Sequence, residues 1–261
     1  MVAHKAMTHT SKDADKDTLR EGCAKDGFEH CRNCLLGAIC LPIALTSKDV
    51  DLLDNIIERK HPLQRGEHLY REKDHFSAVY AVRSGAIKTY HITDDGQEQV
   101  NGFFFPGEII GMDGIGCGRF CSSATALETT SVCEIPFEKL GELSTRLPSL
   151  QRHFFQLMSQ EITEDQKLIT LLSKSSSEQR LAALLLSVSA RNARRNLSET
   201  RFRLPMSRTD IGNYLGLTVE TVSRLFTRFS HNGLLTVDNK EVALLDLDRL
   251  RHVASVNRYK A

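Results

Sequence analysis

Seven cysteines give this chain its clearest capacity for metal chemistry, and three of them stand close together. Cys31, Cys34 and Cys40 follow the spacing C-x2-C-x5-C, which lets three thiolates wrap one side of a metal centre. A fourth thiolate has four candidates, namely Cys23, Cys117, Cys121 and Cys133. Thiolates alone hold either a four-iron cluster or a zinc ion, and the spacing leaves both open. A zinc-stabilised protein without redox chemistry is therefore the alternative to an iron–sulfur protein.

A second segment, residues 207–224, has the pattern of a helix-turn-helix. Ser207 can cap the first helix, Gly216 supplies a left-handed turn, and Thr218 can cap the second helix. This order of cap, turn and cap predicts two short helices that cross each other.

Four polar residues of the second predicted helix suit contact with DNA. Glu220, Ser223 and Arg224 share one outward face because they stand at i, i+3 and i+4. An arginine side chain can form two hydrogen bonds with guanine, and a glutamate can accept one from the amino group of cytosine. A serine hydroxyl can form a hydrogen bond with either kind of base. Arg228 is placed to bind phosphate. We therefore expect this helix to enter the major groove of double-stranded DNA.

The distribution of charge agrees with that expectation. Residues 48–174 carry 14 Lys+Arg and 19 Asp+Glu, which is a net charge of −5. Residues 175–261 carry 14 Lys+Arg and 8 Asp+Glu, which is a net charge of +6. A basic tail is typical of a nucleic-acid-binding unit. The 261 residues, 41% hydrophobic and 26% charged, fit a globular protein of about two domains.

An enzyme is not expected. The sequence contains no nucleophile elbow, phosphate loop or HExxH helix, and the glycine-rich residues 111–116 lack a following Lys-Ser/Thr. No apolar run is long enough to cross a membrane, and the polar N-terminal residues lack a secretory core. A cytoplasmic location is therefore expected.

The elements that must position these groups fall into four predicted stretches. These are a flexible arm with the cysteine-rich segment (1–47), a β-roll sensor domain (48–146), a dimerisation helix (147–174) and a winged helix-turn-helix (175–261). Short strands separated by glycine turns predict the roll, and a helix over residues 48–60 is predicted to precede it.

The long helix, predicted over residues 148–174, carries two apolar stripes. One has the 3-4 spacing of a coiled-coil seam and consists of Phe155, Met158, Ile162, Asp165, Ile169 and Leu172. The other lies on a neighbouring face and consists of Leu147, Leu150, Phe154, Leu157, Leu168 and Leu171. Two stripes predict that the helix packs on its own domain and on a second copy, although burial wholly inside one monomer is the alternative. Our hypothesis is that Asp165 faces its copy across the two-fold axis and keeps the homodimer marginal.

Several stretches of the chain, read together, resemble the FNR/Anr anaerobic regulators of the CRP/FNR superfamily. Besides the cysteine segment and the Glu220–Ser223–Arg224 triplet, they are Ile87-Lys88, Gln97-Glu98-Gln99, Ala126-Leu127-Glu128-Thr129, Cys133-Glu134-Ile135-Pro136-Phe137 and Asp210-Ile211-Gly212-Asn213-Tyr214-Leu215-Gly216-Leu217. The resemblance implies an α+β fold with a cyclic-nucleotide-binding-like β-roll, a long dimerisation helix and a C-terminal winged helix-turn-helix.

The resemblance also implies a cofactor, a [4Fe–4S] cluster on Cys31, Cys34, Cys40 and Cys133, with Cys23 as an extra cysteine. It implies an oxygen-responsive activator and repressor of anaerobic gene expression that works with RNA polymerase. The cluster would promote dimerisation on an inverted repeat of TTGAT, and oxygen would disassemble it. Cys117 and Cys121 fall outside the family pattern. Cyclic-nucleotide-binding relatives carry Arg-Ser or Arg-Thr where this chain has Cys121-Ser122, which argues against cAMP as the effector.

Overall fold

The computed structural model describes residues 30–255 of the chain, so Cys23 and most of the predicted arm lie outside the described residues. Helices of the described part are α1 (Ser47–Asp54), α2 (Phe137–Arg146), α3 (Pro148–Lys174), α4 (Ser177–Arg194), α5 (Arg208–Leu215), α6 (Val219–His231) and α7 (Leu247–Ala254). Its strands are β1 (Glu58–Arg59), β2 (His68–Tyr70), β3 (Ala78–Ser84), β4 (Ile87–Ile92), β5 (Glu98–Phe104), β6 (Ile109–Ile110), β7 (Ser123–Ala126), β8 (Ser131–Pro136), β9 (Arg201–Arg203), β10 (Leu235–Asp238) and β11 (Glu241–Leu244).

Two antiparallel four-stranded sheets form the β-roll. Their strand orders are β1-β8-β3-β6 and β2-β7-β4-β5. The apolar side chains of β3 and β8 meet those of the second sheet and of α2 in one continuous core. This arrangement confirms the predicted β-roll of an α+β fold.

The predicted helix over residues 48–60 is shorter than expected. α1 ends at Asp54, and the chain then turns to form β1, in which Arg59 pairs with Cys133 of β8. Ile56 and Ile57 pack against the roll core. Pairing with β8 and burial of these two side chains therefore override the local helical periodicity.

The long helix α3 has the predicted bounds, with Pro148 in its first turn. Leu150 and Phe154 are buried in the core of the roll. The 3-10 turn Leu41–Ala44, which follows Cys40, also packs against α3. The cysteine segment and the long helix are thus in direct contact.

The winged helix-turn-helix consists of α4 to α7 and the sheet β10-β11-β9. Its core is continuous with part of the roll, because Val100 and Phe103 of β5 join the same apolar cluster as Leu181 and Leu215. The helices α2 and α7 were not among the sequence expectations. The domain boundaries given above stay a prediction.

Candidate metal centre and DNA-binding surface

Four cysteines line one cavity between the segment before α1 and the first sheet of the roll. Cys31, Cys34 and Cys40 come from that segment, and Cys133 comes from β8. Apart from Gly37 and Arg83, the other lining residues are apolar, and they are Leu36, Leu41, Pro42, Leu53, Ile57, Ala81, Val82 and Ile135. All four thiols are half-buried. The fold therefore brings thiols that are far apart in the sequence to one cavity.

The cysteine segment is docked onto α1 and β1 through Asp54. Its carboxylate accepts a hydrogen bond from the Cys31 amide at 2.9 Å, contacts His30 and forms an ion pair with Arg59. The Asp54 and Arg59 side chains are only 11% and 12% exposed. The Arg59 guanidinium also lies 3.9 Å from the Cys31 Sγ. This pair fixes the start of the cysteine segment against the body of the roll.

Burial shapes the acid–base behaviour of the site. It raises the pKa of the Cys40 thiol to about 12 and raises the pKa values of Cys31 and Cys133 as well. The guanidinium of Arg59 opposes this effect at both Cys31 and Cys133. A metal centre bound here must displace protons from these thiols, so its affinity increases with pH.

The residues present fit an iron–sulfur cluster by their chemistry. The donor set consists of four sulfur atoms in apolar surroundings, with the cations Arg59 and Arg83 close enough to offset part of the effect by which burial raises the pKa of Cys133. Within residues 30–255, no three Cys, His, Asp or Glu side chains are grouped closely enough to hold one metal ion.

The helix-turn-helix forms as its sequence predicts. Ser207 and Asp210 make a capping box at the start of α5, and the Thr218 hydroxyl accepts from the Thr221 amide at the start of α6. Gly216 has φ 62°, the left-handed value that ends α5. Gly212 allows the close turn, because a Cβ there would lie 2.6 Å from the Leu217 carbonyl oxygen.

The predicted DNA-reading residues lie together on the exposed face of α6. Glu220, Ser223 and Arg224 are all exposed, whereas Val222 and Leu225 on the opposite face are buried. Arg228, one turn further on, forms an ion pair with Glu178 of α4 and remains 62% exposed. Two arginines, a glutamate and a serine thus share the solvent-facing side of this helix.

Comparisons with known proteins agree with both parts of the structure. Residues 60–146 match the cyclic nucleotide-binding domain family, and residues 179–253 match the Crp-like helix-turn-helix domain family. The transcriptional activator protein anr of Pseudomonas aeruginosa is 54% identical over 217 residues, which cover 83% of this chain and 89% of that protein. The fumarate and nitrate reduction regulatory protein of Escherichia coli K12 is 48% identical over 237 residues, which cover 91% of this chain and 93% of that protein. The chain belongs to the FNR/Anr family.

Membership of the FNR/Anr family makes the chain a DNA-binding transcription regulator and confirms that it is not an enzyme. The solved structure of FixK2 from Bradyrhizobium japonicum is similar, with a TM-score of 0.70 and 27% identity over 77% of this chain and 98% of that one. Among residues 30–255, no helix has the length and apolarity needed to cross a bilayer.

The seam of this FNR/Anr chain is partly open to solvent. Phe155, Ile162 and Ile169, spaced by seven residues, are 59%, 58% and 66% exposed. Asp165 is exposed on the same face, and Met158 and Leu172 are half-buried. The neighbouring stripe faces its own domain, since Leu150 and Phe154 are buried and Leu147, Leu157, Leu168 and Leu171 are half-buried. The two stripes thus differ in their exposure to solvent.

The structure also adds residues that sequence reasoning missed. Asp54 and Arg59 hold Cys31, yet nothing in their spacing distinguishes them from the charged residues around them. Cys117 and Cys121, two of the candidate fourth thiols, lie on a separate exposed loop. Of the described candidates only Cys133 reaches the cavity.

Proposed function

We propose that this FNR/Anr regulator senses oxygen through a [4Fe–4S] cluster bound by Cys31, Cys34, Cys40 and Cys133. The observation that carries the proposal is the single apolar cavity lined by these four thiols. When bound, the cluster would supply an oxygen-labile link between the cysteine segment and β8. The relatives named above are transcriptional regulators, and the anr protein is a transcriptional activator.

The chain's own contacts suggest how this link reaches α3. Cys40 is followed at once by the turn Leu41–Ala44, which packs on α3. Leu41 is 1% exposed and shares a core with Leu150 and Phe154 of α3. Holding Cys40 in place therefore holds Leu41 against the first turns of the long helix.

We further propose that α3 forms a homodimer through Phe155, Met158, Ile162, Asp165, Ile169 and Leu172. Burial of the exposed seam favours association, and repulsion between two Asp165 carboxylates opposes it. Dimerisation would place two copies of α6 on successive major-groove faces of a palindromic TTGAT-type site. Glu220, Ser223 and Arg224 would read bases, and Arg228 would hold phosphate. The bound dimer would then contact RNA polymerase in the cytoplasm and activate or repress anaerobic genes.

The first experiment is to purify the full chain without oxygen and record its absorbance, iron and sulfide content and DNA affinity before and after adding air. We expect a brown protein with about four irons per chain, whose colour and affinity for the palindrome are both lost in air. Cys133→Ser should remove the iron, whereas Cys117→Ser should keep it. A colourless, zinc-containing protein that binds the palindrome equally well in air would refute oxygen sensing and favour the zinc alternative.

A further inference from the structure

Two exposed thiols lie outside the four-cysteine cavity and have no part in the proposed function. The Sγ atoms of Cys117 and Cys121, in the loop between β6 and β7, are 3.5 Å apart. Each also contacts a backbone carbonyl, since Cys117 lies 3.1 Å from the Arg119 oxygen and Cys121 lies 3.3 Å from the Asp113 oxygen. Solvent therefore reaches a preformed pair of sulfurs.

The backbone around this pair is fixed to the roll. The Phe120 amide donates to the Asp74 carbonyl at 3.0 Å, and the Phe120 carbonyl accepts from the Lys73 amide at 2.8 Å. The Phe120 ring is 3% exposed and stacks on Tyr70 with the ring centroids 3.8 Å apart. Phe120, which directly precedes Cys121, is thus anchored, and the carbonyl of Gly118, which directly follows Cys117, accepts a hydrogen bond from the Phe76 amide at 3.0 Å. The backbone beside each sulfur is therefore held to the roll.

We propose that Cys117 and Cys121 form a reversible dithiol–disulfide site that is oxidised by a hydroperoxide. A disulfide has an S–S length of about 2.05 Å. The sulfurs must therefore approach by about 1.5 Å, a distance that rotation of two exposed side chains can cover. Exposure of both thiols gives a small oxidant and a reductant access to the site.

The reaction balances with one hydroperoxide. The Cys117 thiolate attacks one peroxide oxygen, so that an S–O bond forms, the O–O bond breaks and the released oxygen leaves as water or alcohol. The Cys121 sulfur then attacks the sulfenic sulfur, so that the S–S bond forms, the S–O bond breaks and water leaves with the Cys121 proton. The two sulfurs together lose two electrons, which reduce the peroxide, and an external dithiol reverses the change.

In this scheme Cys117 is oxidised first and Cys121 is the resolving thiol. Contact with Cys117 raises the pKa of Cys121 to about 11, and partial burial adds to this effect. Cys121 therefore keeps its proton at neutral pH until it attacks as the resolving thiol.

Trypsin provides a direct test, because it cuts after Arg119, between the two cysteines. The full chain, kept without oxygen, is treated with one equivalent of hydrogen peroxide, alkylated and digested. We expect a crosslink between fragments 89–119 and 120–139 that dithiothreitol removes, with fragment sequencing placing the bond on Cys121 rather than Cys133. Cys121→Ser should lose the crosslink and retain a sulfenic acid on Cys117 that reacts with dimedone. Cys117→Ser should lose both products.

Three results would overturn the proposal. They are a crosslink on Cys133 alone, oxidation of Cys117 to the sulfinic acid without a crosslink, and two free thiols after peroxide treatment. The visible absorbance of the same samples reports separately on the proposed cluster. A failure of the dithiol site is therefore distinguishable from a failure of oxygen sensing.

Discussion

At the scale of single residues, Asp54 links the metal site to the stability of the fold. Burial opposes its ionisation, but hydrogen bonds from the Cys31 amide, His30 and Arg59 outweigh burial and hold the pKa of Asp54 well below its usual range. The carboxylate is thus more stable in the folded protein than in the unfolded chain. Its contribution to stability is present above about pH 4 and is lost as the pH falls through the folded pKa.

Asp54→Asn should lower the free energy of unfolding by about 3 kcal/mol, because Arg59 is left buried without its partner. As the pH falls below about 4, the free energy of unfolding should also decrease less in the variant than in the parent protein. Urea unfolding at several pH values measures both effects. Asp51→Asn is the matched control, since its ion pair with Arg32 is 54–55% exposed and should contribute less than about 1 kcal/mol. Equal losses in the two variants would contradict the docking role of Asp54.

A second residue-scale prediction concerns the two arginines of α6. Arg224→Ala should weaken binding to the palindrome by about 1–3 kcal/mol and relax the preference at one base pair, because a base contact is lost. Arg228→Ala should weaken binding to specific and random DNA alike, because a phosphate contact carries no sequence information. Binding titrations on both DNAs separate the two. If Arg224→Ala weakened binding to both DNAs equally, the prediction that Arg224 reads a base would be wrong.

At the scale of elements, α3 shows how one helix serves two interfaces. Leu150 is fully buried in the roll, whereas Ile162 and Ile169 of the seam are more than half exposed. Asp165 interrupts this apolar seam, and burial together with Glu164 raises its pKa. Its charged form is thus already disfavoured in one copy, and the approach of a second copy would disfavour it further.

Asp165→Ala should tighten the dimer of the cluster-free protein by at least about tenfold, because repulsion between like charges at an interface costs more than 1.4 kcal/mol. Sedimentation equilibrium of air-exposed protein measures the dissociation constant. Asp248→Ala, which removes an exposed carboxylate from α7, should leave that constant unchanged. An unchanged constant for Asp165→Ala would mean that Asp165 does not limit association.

At the scale of the whole molecule, the winged helix is bound to the roll by polar contacts as well as by the shared core. The Asn213 side chain of α5 accepts from the Val100 amide at 2.8 Å and donates to the Glu98 carbonyl of β5. Lys88 of β4 forms ion pairs with both Glu98 and Asp210. The first helix of the DNA-binding motif is thus attached to the sensor sheet, so a change in the roll can alter the pose of α6.

Asn213→Ala should lower the free energy of unfolding by about 1–2 kcal/mol and expose the Val100 amide to exchange, because two hydrogen bonds are lost. Hydrogen exchange resolved by residue measures the second effect. Asn101→Ala, at an exposed position of the same strand, should change neither quantity. Full protection of Val100 in Asn213→Ala would show that the apolar core alone holds the two units together.

Features that depend on near neighbours in the chain follow from the order of the amino acids. The bounds of α3, the caps at Ser207 and Thr218 and the left-handed turn at Gly216 were all predictable. Each of them rests on hydrogen bonds or side-chain spacing within about four residues. The outward face of α6 was predictable for the same reason.

Contacts between groups that are distant in the chain, in contrast, depend on the complete fold. Spacing left four candidates for the fourth thiol, and the pairing of β1 with β8 brought Cys133 to the cavity. The Asp54–Arg59 pair and the adjacent sulfurs of Cys117 and Cys121 were likewise invisible in the sequence. These contacts depend on where the chain turns outside regular elements and on which strands pair. That choice is made by burial of the whole core, which no local pattern records.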